Sequence, residues 1–193
     1  MNVKKVADAF FPTRHGDFTV HAFVDSSGRE HLALTRCGHE KHDEVPVRVH
    51  SRCLTGDTLT SLRCDCRDQL EASMEYLDKK GCGVLIYLDQ EGRGIGLANK
   101  IKAYSLQDGG MDTVEANVHL GFGEDQRDYG VAAEMLKALG IDNIALLTNN
   151  PKKIADLERH GITVVKRIPI SVKPNKHNKK YLDTKREKMA HML

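Results

Sequence analysis

The rhythm of apolar and polar positions changes about a third of the way along the chain. Residues 18–24, 31–35 and 45–50 carry alternating or β-branched character between Gly and Asp, which predicts strands of a barrel or a mixed sheet. Beyond them, Leu70, Met74 and Leu77 recur at helical spacing and Gly81 stands where a helix C-terminal glycine belongs, so a helix is expected over 65–80. Residues 83–88 read as a buried strand, followed by a glycine-rich loop and a helix over 97–106. A further helix is expected over 126–139, closed by Gly140, and then a strand over 143–147. Asn150 and Pro151 open a helix that runs to His160, with Gly161 as its cap and 162–165 as the next strand. The expected class is α/β (mixed α+β): a strand-rich amino-terminal half with a mixed sheet, βα units in the carboxy-terminal half, and helices packed on the sheet.

Composition narrows this picture. With 193 residues, 40% of them apolar, one core and one domain are expected, spanning 1–172. Residues 173–193 are rich in Lys and Arg with little apolar periodicity, and read as a solvated basic tail. The 29 basic residues nearly cancel the 27 acidic ones, leaving a formal charge of +2, which argues against non-specific nucleic-acid binding. The start of the chain lacks the apolar core of a secretory signal, and the longest apolar run falls far short of the roughly 20 residues a membrane helix needs. Five cysteines, an odd number, fit a reducing compartment and metal binding better than disulfides, so a cytoplasmic location is expected, with no membrane partner.

Cys53 is followed, after a loop rich in small polar residues, by Cys64 and Cys66, a pair at i and i+2. Three thiolates suit zinc, and a fourth position left open distinguishes a catalytic site from a closed one. Cys66 falls near the start of the 65–80 helix, where the dipole favours a thiolate. The same spacing also suits a structural zinc completed by His50 or His42. Cys37 and Cys82 lie outside any ligand spacing and read as structural.

Three further segments carry candidate chemistry. Asn149-Asn150-Pro151-Lys152-Lys153 puts two lysines in a first helical turn, where cations oppose the macrodipole; an anion such as phosphate would neutralise them, and a solvated pair fits equally well. Asp89-Gln90-Glu91-Gly92-Arg93-Gly94-Ile95-Gly96 follows a strand and precedes a helix, though it is neither a dinucleotide fingerprint nor a Walker loop. Arg93 can bind an anion bidentately and Glu91 could accept both N–H groups of a guanine edge; an ordinary glycine loop is the alternative. In Gly123-Glu124-Asp125-Gln126-Arg127-Asp128, Asp125 reads as an N-cap with Asp128 at N3, while Arg127 in the first turn again points to an anion. Tyr104 closes the 97–106 helix, a position more often used for packing than for catalysis.

Taken in order, the segments 48–57, 61–66, 90–97, 112–117, 125–128, 147–153 and 181–185 closely resemble GTP cyclohydrolase II over nearly the whole chain. The resemblance implies a homodimeric, magnesium-assisted zinc enzyme that converts GTP to a diaminopyrimidine ribosylamine phosphate, formate and pyrophosphate, the first step of riboflavin biosynthesis. The length suggests the form without a fused butanone-phosphate synthase domain. Carried over by residue, the family pattern implies zinc on Cys53, Cys64 and Cys66. It implies GTP contacts from Arg48, Val49, His50, Ser51, Arg52, Gln69, Glu91, Gly92, Arg93, Thr113, Thr148 and Lys153. It makes Asp125 the proton acceptor, Arg127 the nucleophile and Tyr104 a participant in ring opening. A guanidinium pKa above about 12 keeps a second role open for Arg127, stabilising charge at the α-phosphate. Two other functions stay in view: a nucleotide- or RNA-binding module with a structural zinc, and a cyclohydrolase that stops at a formamide product.

Overall fold

The structure, a computed structural model, describes residues 3–36, 44–123, 125–188 and 191–192, without the side chains of 180 and 188. Cys37, His42 and Glu124 lie outside them. Seven strands form one mixed sheet in the order β1-β2-β3-β5-β4-β6-β7. β1 (Val3–Thr13), β2 (Gly16–Asp25) and β3 (Glu30–Arg36) are an antiparallel meander, and β3 pairs antiparallel with β5 (Gly83–Leu88). β4 (Val45–Ser51) lies parallel to both β5 and β6 (Asn143–Leu147), and β6 parallel to β7 (Thr163–Ile168). The expected mixed sheet is therefore present, with the meander on one side and the βα units on the other.

β5 shows why its sequence is continuously apolar. Val84, Ile86 and Leu88 enter one core with Val47, Val49, Met135, Leu136 and Leu157, whereas Leu85 enters a second with Phe18, Leu34 and Leu77. A central strand covered on both faces has no solvent side on which polar residues could alternate. The larger core is closed by α4 (Gly130–Ala138) and α5 (Pro151–Arg159), the smaller by α1 (Cys66–Lys80). α1 ends at Gly81, whose φ of 70° is the left-handed turn that glycine permits, with its N–H donating to the Asp78 carbonyl. α5 opens as expected, with the Asn150 side chain accepting from the Lys152 N–H and Pro151 in the first turn.

Four features depart from the sequence expectations. β1 was not expected as a strand; nearly all of it is exposed, so no one-sided pattern marks it. A short helix α3 (Thr113–His119), following α2 (Gly96–Asp108), was also not expected and opens on a capping box between Asp112 and Glu115. The 126–139 helix begins only at Gly130, and Asp125 does not cap it. Instead Asp125 accepts from the Arg127 N–H at 3.1 Å and Asp128 from the Gly130 N–H at 2.7 Å, local bonds that compete with helix formation. Finally, the basic carboxy-terminal stretch holds α6 (Lys179–Lys188), with Leu182, Thr184 and Lys185 buried. Charge kept that segment from reading as structure, but Lys185 finds an acid partner in the fold.

Leu77 is fully buried where α1 meets the sheet. Leu77→Ala is expected to lower unfolding free energy by about 2–5 kcal/mol, measured by urea titration, because buried apolar contact is lost and a cavity is left in the smaller core. A change below about 1 kcal/mol would mean that the smaller core collapses around the gap.

Candidate active site

The site lies at the carboxyl ends of the parallel strands, where open α/β sheets bind their ligands. Cys53 follows β4 and enters a single π-helical turn, Leu54–Thr58. Asp57 ties that turn down: its carboxylate accepts from the Cys53 N–H at 2.9 Å and the Tyr87 hydroxyl at 2.8 Å, and lies 3.1 Å from His50 Nε2. Cys64 and Cys66 stand on either side of Asp65, at the start of α1. The loop thus folds back, and the three sulfurs lie within 4.8 Å of one another.

The chemistry of this cluster fits a thiophilic cation. Two sulfurs about 2.3 Å from a tetrahedral zinc lie about 3.8 Å apart; Cys53 and Cys64 Sγ are 3.8 Å apart. A Cβ on Gly56 would stand 2.7 Å from Cys64 Sγ and 3.1 Å from Cys53 Sγ, so the backbone at that point hugs the sulfurs and admits only glycine. Hydrogen bonds from the other two thiols, and then the Lys100 ammonium, hold Cys53 far below the usual thiol range, while that anion pushes Cys64 up to about 11 and Cys66 well above its ordinary value. Three thiolates this close repel unless a metal ion neutralises them. His50 is buried, engaged with Asp57, and does not join the cluster; among the described residues no fourth protein ligand does.

Lys100 on α2 was not anticipated. Its ammonium donates to Cys53 Sγ at 3.0 Å and to Glu91 Oε1 at 2.8 Å. Burial favours the free amine, but Glu91 and Cys53 outweigh it and hold Lys100 above its ordinary pKa. Glu91 in turn accepts from the Leu54 N–H at 2.6 Å and the Gly92 N–H at 2.9 Å. Both its oxygens accept hydrogen bonds within the protein, so it organises the cysteine loop. Gly92 and Arg93 both adopt left-handed backbone, with φ of 63° and 62°, and for Arg93 this is strained. One nitrogen of its half-buried guanidinium, Nη1, is itself buried and has no hydrogen-bond partner.

Tyr104 lies one turn beyond Lys100 on α2, with Arg63 stacked 4.6 Å above its ring, and burial pushes its phenol up to about 12. Ser51, Arg52 and Thr113 line the cleft beside the cysteines, Thr113 from the first turn of α3. Arg52 is half-exposed and paired with Asp89 at 2.9 Å.

Beyond Cys66 the cleft becomes strongly basic, lined by Arg48, Arg93, Arg127, Lys153 and Lys185. Arg48 donates to the Gln69 amide oxygen at 2.7 Å and the Leu147 carbonyl at 3.1 Å; burial lowers its pKa to about 10, so it stays charged. Lys153 donates to the Val49 carbonyl at 2.7 Å, and burial, Arg48 and Arg127 push its pKa well down. Val49 contributes only that carbonyl, since its side chain is in the core. The buried Thr148 hydroxyl caps the Asn150 N–H at 3.0 Å. Asp125 and Arg127 form a bidentate pair. Burial raises the Asp125 pKa and lowers that of Arg127, but Arg127 outweighs burial for Asp125, and Tyr129 together with Asp125 outweighs it for Arg127, so both are held charged. Asp65, Lys185, Tyr181 and His191 also line the basic end, and none was singled out for a role from sequence. The position of Asp65 between two metal-spaced cysteines was a usable signal, as was the resemblance of segment 181–185, which carries Tyr181 and Lys185; nothing in the pattern pointed to His191.

Ser51, Cys66, Arg93, Arg127 and Tyr181 line both ends, so the cysteine cluster and the basic basin share one cleft. A family model described as GTP cyclohydrolase II matches residues 4–169. The chain belongs to the GTP cyclohydrolase II family. The GTP cyclohydrolase-2 of Pseudomonas paraeruginosa (strain DSM 24068 / PA7) is 55% identical over 196 residues, covering 100% of this chain and 95% of that relative. The GTP cyclohydrolase-2 of Shigella boydii serotype 18 is 52% identical over 100% of this chain and 99% of its own length. The riboflavin biosynthesis protein RibBA of Aquifex aeolicus is 55% identical over 99% of this chain, which spans 48% of that longer protein. Among the described residues no helix is long and apolar enough to cross a membrane.

Gly56→Ala is expected to weaken zinc binding at least about tenfold, read by competition with a chromogenic chelator, since the added methyl meets a ligand sulfur. Zinc affinity equal to wild type would show that the three sulfurs are not the metal site.

Proposed function

We propose that this chain opens the imidazole ring of GTP by hydrolysis, releasing formate and pyrophosphate and leaving 2,5-diamino-6-hydroxy-4-(5-phosphoribosylamino)pyrimidine, the first step of riboflavin biosynthesis. The observation that carries the proposal is the single cleft with a three-thiol cluster at one end and a basic basin at the other. A purine ring with a triphosphate tail has the same polarity.

Cys53, Cys64 and Cys66 would hold zinc, which supplies Lewis acidity for hydrolysis at C8 of the purine. Tyr104, protonated at neutral pH, donates a proton as the ring nitrogen leaves. Lys100 holds Cys53 and Glu91 in register with that phenol. Arg93 and Lys153 bind phosphate oxygens, with Mg²⁺ carried by the triphosphate, and Arg48 and Thr148 line the same basin. Gln69 holds Arg48, and His50, Ser51, Arg52, Gly92 and Thr113 shape the cleft around the nucleoside.

The Asp125–Arg127 pair favours one of the two roles open for Arg127. A guanidinium whose proton is held by a bidentate carboxylate is a poor nucleophile and a good stabiliser of charge developing at the α-phosphorus. Single-turnover reaction with α-labelled GTP is accordingly expected to leave no phosphoryl or nucleotidyl adduct on Arg127; a mapped adduct there would reverse this assignment.

Homodimer formation is the further expectation, supported by the exposed Phe10 and Phe11 on the edge strand β1, as is a cytoplasmic location. The decisive experiment incubates the zinc-loaded protein with GTP and Mg²⁺ and assays formate and pyrophosphate together. Both are expected in equal amounts. Tyr104→Phe is expected to lower formate release by about 10²–10⁴-fold with GTP still bound. Chelation is expected to abolish formate while the circular dichroism of the fold persists; unfolding on chelation would favour a binding module built on a structural zinc. Pyrophosphate without formate sinks the ring-opening assignment.

A further inference from the structure

The cleft has walls from the ends of β4, β5 and β6 and from α2 and α3. Its remaining side is carboxy-terminal. α6 and the residues after it lie beyond the 4–169 span of the family match, yet they reach the site at three points. Tyr181 lines both the cysteine end and the basic end, with the Arg93 guanidinium 5.8 Å and the Lys185 ammonium 4.4 Å from its ring centre. Lys185 donates to Asp65 Oδ1 at 2.7 Å. His191 lines the basin, and its Nε2 is buried without a hydrogen-bond partner.

The segment is built into the fold rather than draped over it. Asn175 and Asn178 exchange hydrogen bonds before α6, the Asn175 N–H donating to Asn178 Oδ1 at 2.8 Å and the Asn178 N–H to Asn175 Oδ1 at 3.0 Å. After α6, the His191 N–H donates to the Lys185 carbonyl at 3.0 Å and the Met192 N–H to the Asn149 carbonyl at 2.9 Å. Asn149 is itself fixed by the backbone of Ile170. The imidazole of His191 is therefore aimed at the basin by backbone bonds on both sides.

The charges of the basin do not balance. Five cations line it, and two of them, Arg127 and Lys185, are paired with Asp125 and Asp65. Arg48 and Lys153 have only neutral oxygen partners, and Arg93 Nη1 has none. An ammonium has three N–H donors; the bond to Asp65 uses one of those on Lys185, leaving the others for a ligand. An unpartnered imidazole nitrogen beside surplus positive charge is a place where a phosphate oxygen satisfies both.

We propose that the carboxy-terminal segment is the fourth wall of the nucleotide site, with Lys185 and His191 binding phosphate oxygens and Tyr181 packing against the nucleotide where the metal and phosphate ends meet. This rests on the GTP reading above, and inorganic tripolyphosphate is a probe that separates the two.

Calorimetric titration of the zinc-loaded protein with tripolyphosphate is expected to show binding in wild type. Lys185→Met and His191→Ala are each expected to weaken it by about tenfold to a hundredfold, and Lys185→Arg to restore most of the loss. The zinc content of each variant is measured alongside. Asp65→Asn distinguishes a ligand contact from a structural one. If Lys185 touches phosphate, freeing it from Asp65 keeps or tightens binding; if Asp65→Asn loses as much as Lys185→Met while Gln69→Ala, which cuts the other path from Asp65, loses nothing, Lys185 acts only through Asp65 and the proposal falls. Wild-type affinity in both Lys185→Met and His191→Ala overturns it while leaving the GTP reading intact. Absence of tripolyphosphate binding in wild type overturns the proposal, while the GTP reading stands or falls on formate release.

Discussion

The buried ion pair between Glu91 and Lys100 is the contact through which the separate parts of the site find their positions. Glu91 leaves the end of β5 and accepts from the backbone of Leu54 in the cysteine loop and of Gly92 in the glycine loop. Lys100 brings in α2, and with it Tyr104, and donates to Cys53. The cysteine loop, the glycine loop and α2 thus meet on two side chains that water hardly reaches. Such a pair contributes little net stability, because desolvation offsets attraction, but loss of either member strands a buried charge. Its effect is one of geometry: the loop carrying Cys53 has one low-energy position relative to the phenol of Tyr104.

The opposite end of the cleft follows a different logic. There the fold buries more positive charge than it neutralises, and part of the imbalance appears as the depressed pKa of Lys153. Holding cations in place before the ligand arrives removes the reorganisation that a flexible site would need at the moment of reaction. The carboxylates are spent on orientation: Asp125 fixes the plane of the Arg127 guanidinium, and Asp65 draws Lys185 and Gln69 together, with Gln69 passing that order on to Arg48. Asp65 also stands between two cysteines at the start of α1, so the two ends of the cleft are mechanically joined at one residue.

Both ends depend on the parallel part of the sheet. β4, β5 and β6 run in the same direction, so the segments that follow them emerge on one edge: 51–57 with the first cysteine, 89–96 with the glycine loop and 148–153 with the anchoring asparagines and Lys153. The antiparallel meander of β1, β2 and β3 contributes to the core but sends no cleft residue to that edge.

Much of this was legible beforehand. Period and capping residues located β2 to β7, α1, α2 and α5, because core-facing positions and helix ends are local properties of the chain. The spacing of Cys53, Cys64 and Cys66 and the misplaced charge of Lys153 marked the two ends of the site for the same reason. What stayed hidden was every role that depends on a partner distant in sequence. Glu91 read as part of an ordinary glycine loop or a ligand contact, and its hold on the Leu54 N–H, 37 positions earlier, was not visible. Lys185 and His191 sat in a stretch whose composition suggests solvent, since an isolated sequence prices a lysine as exposed charge and cannot know that Asp65, 120 positions earlier, awaits it. The sequence by itself determined which groups were present and which surfaces had to be buried; only the tertiary structure decided which charges were already neutralised and which were left for a ligand, because pairing across a fold is a matter of distance in space.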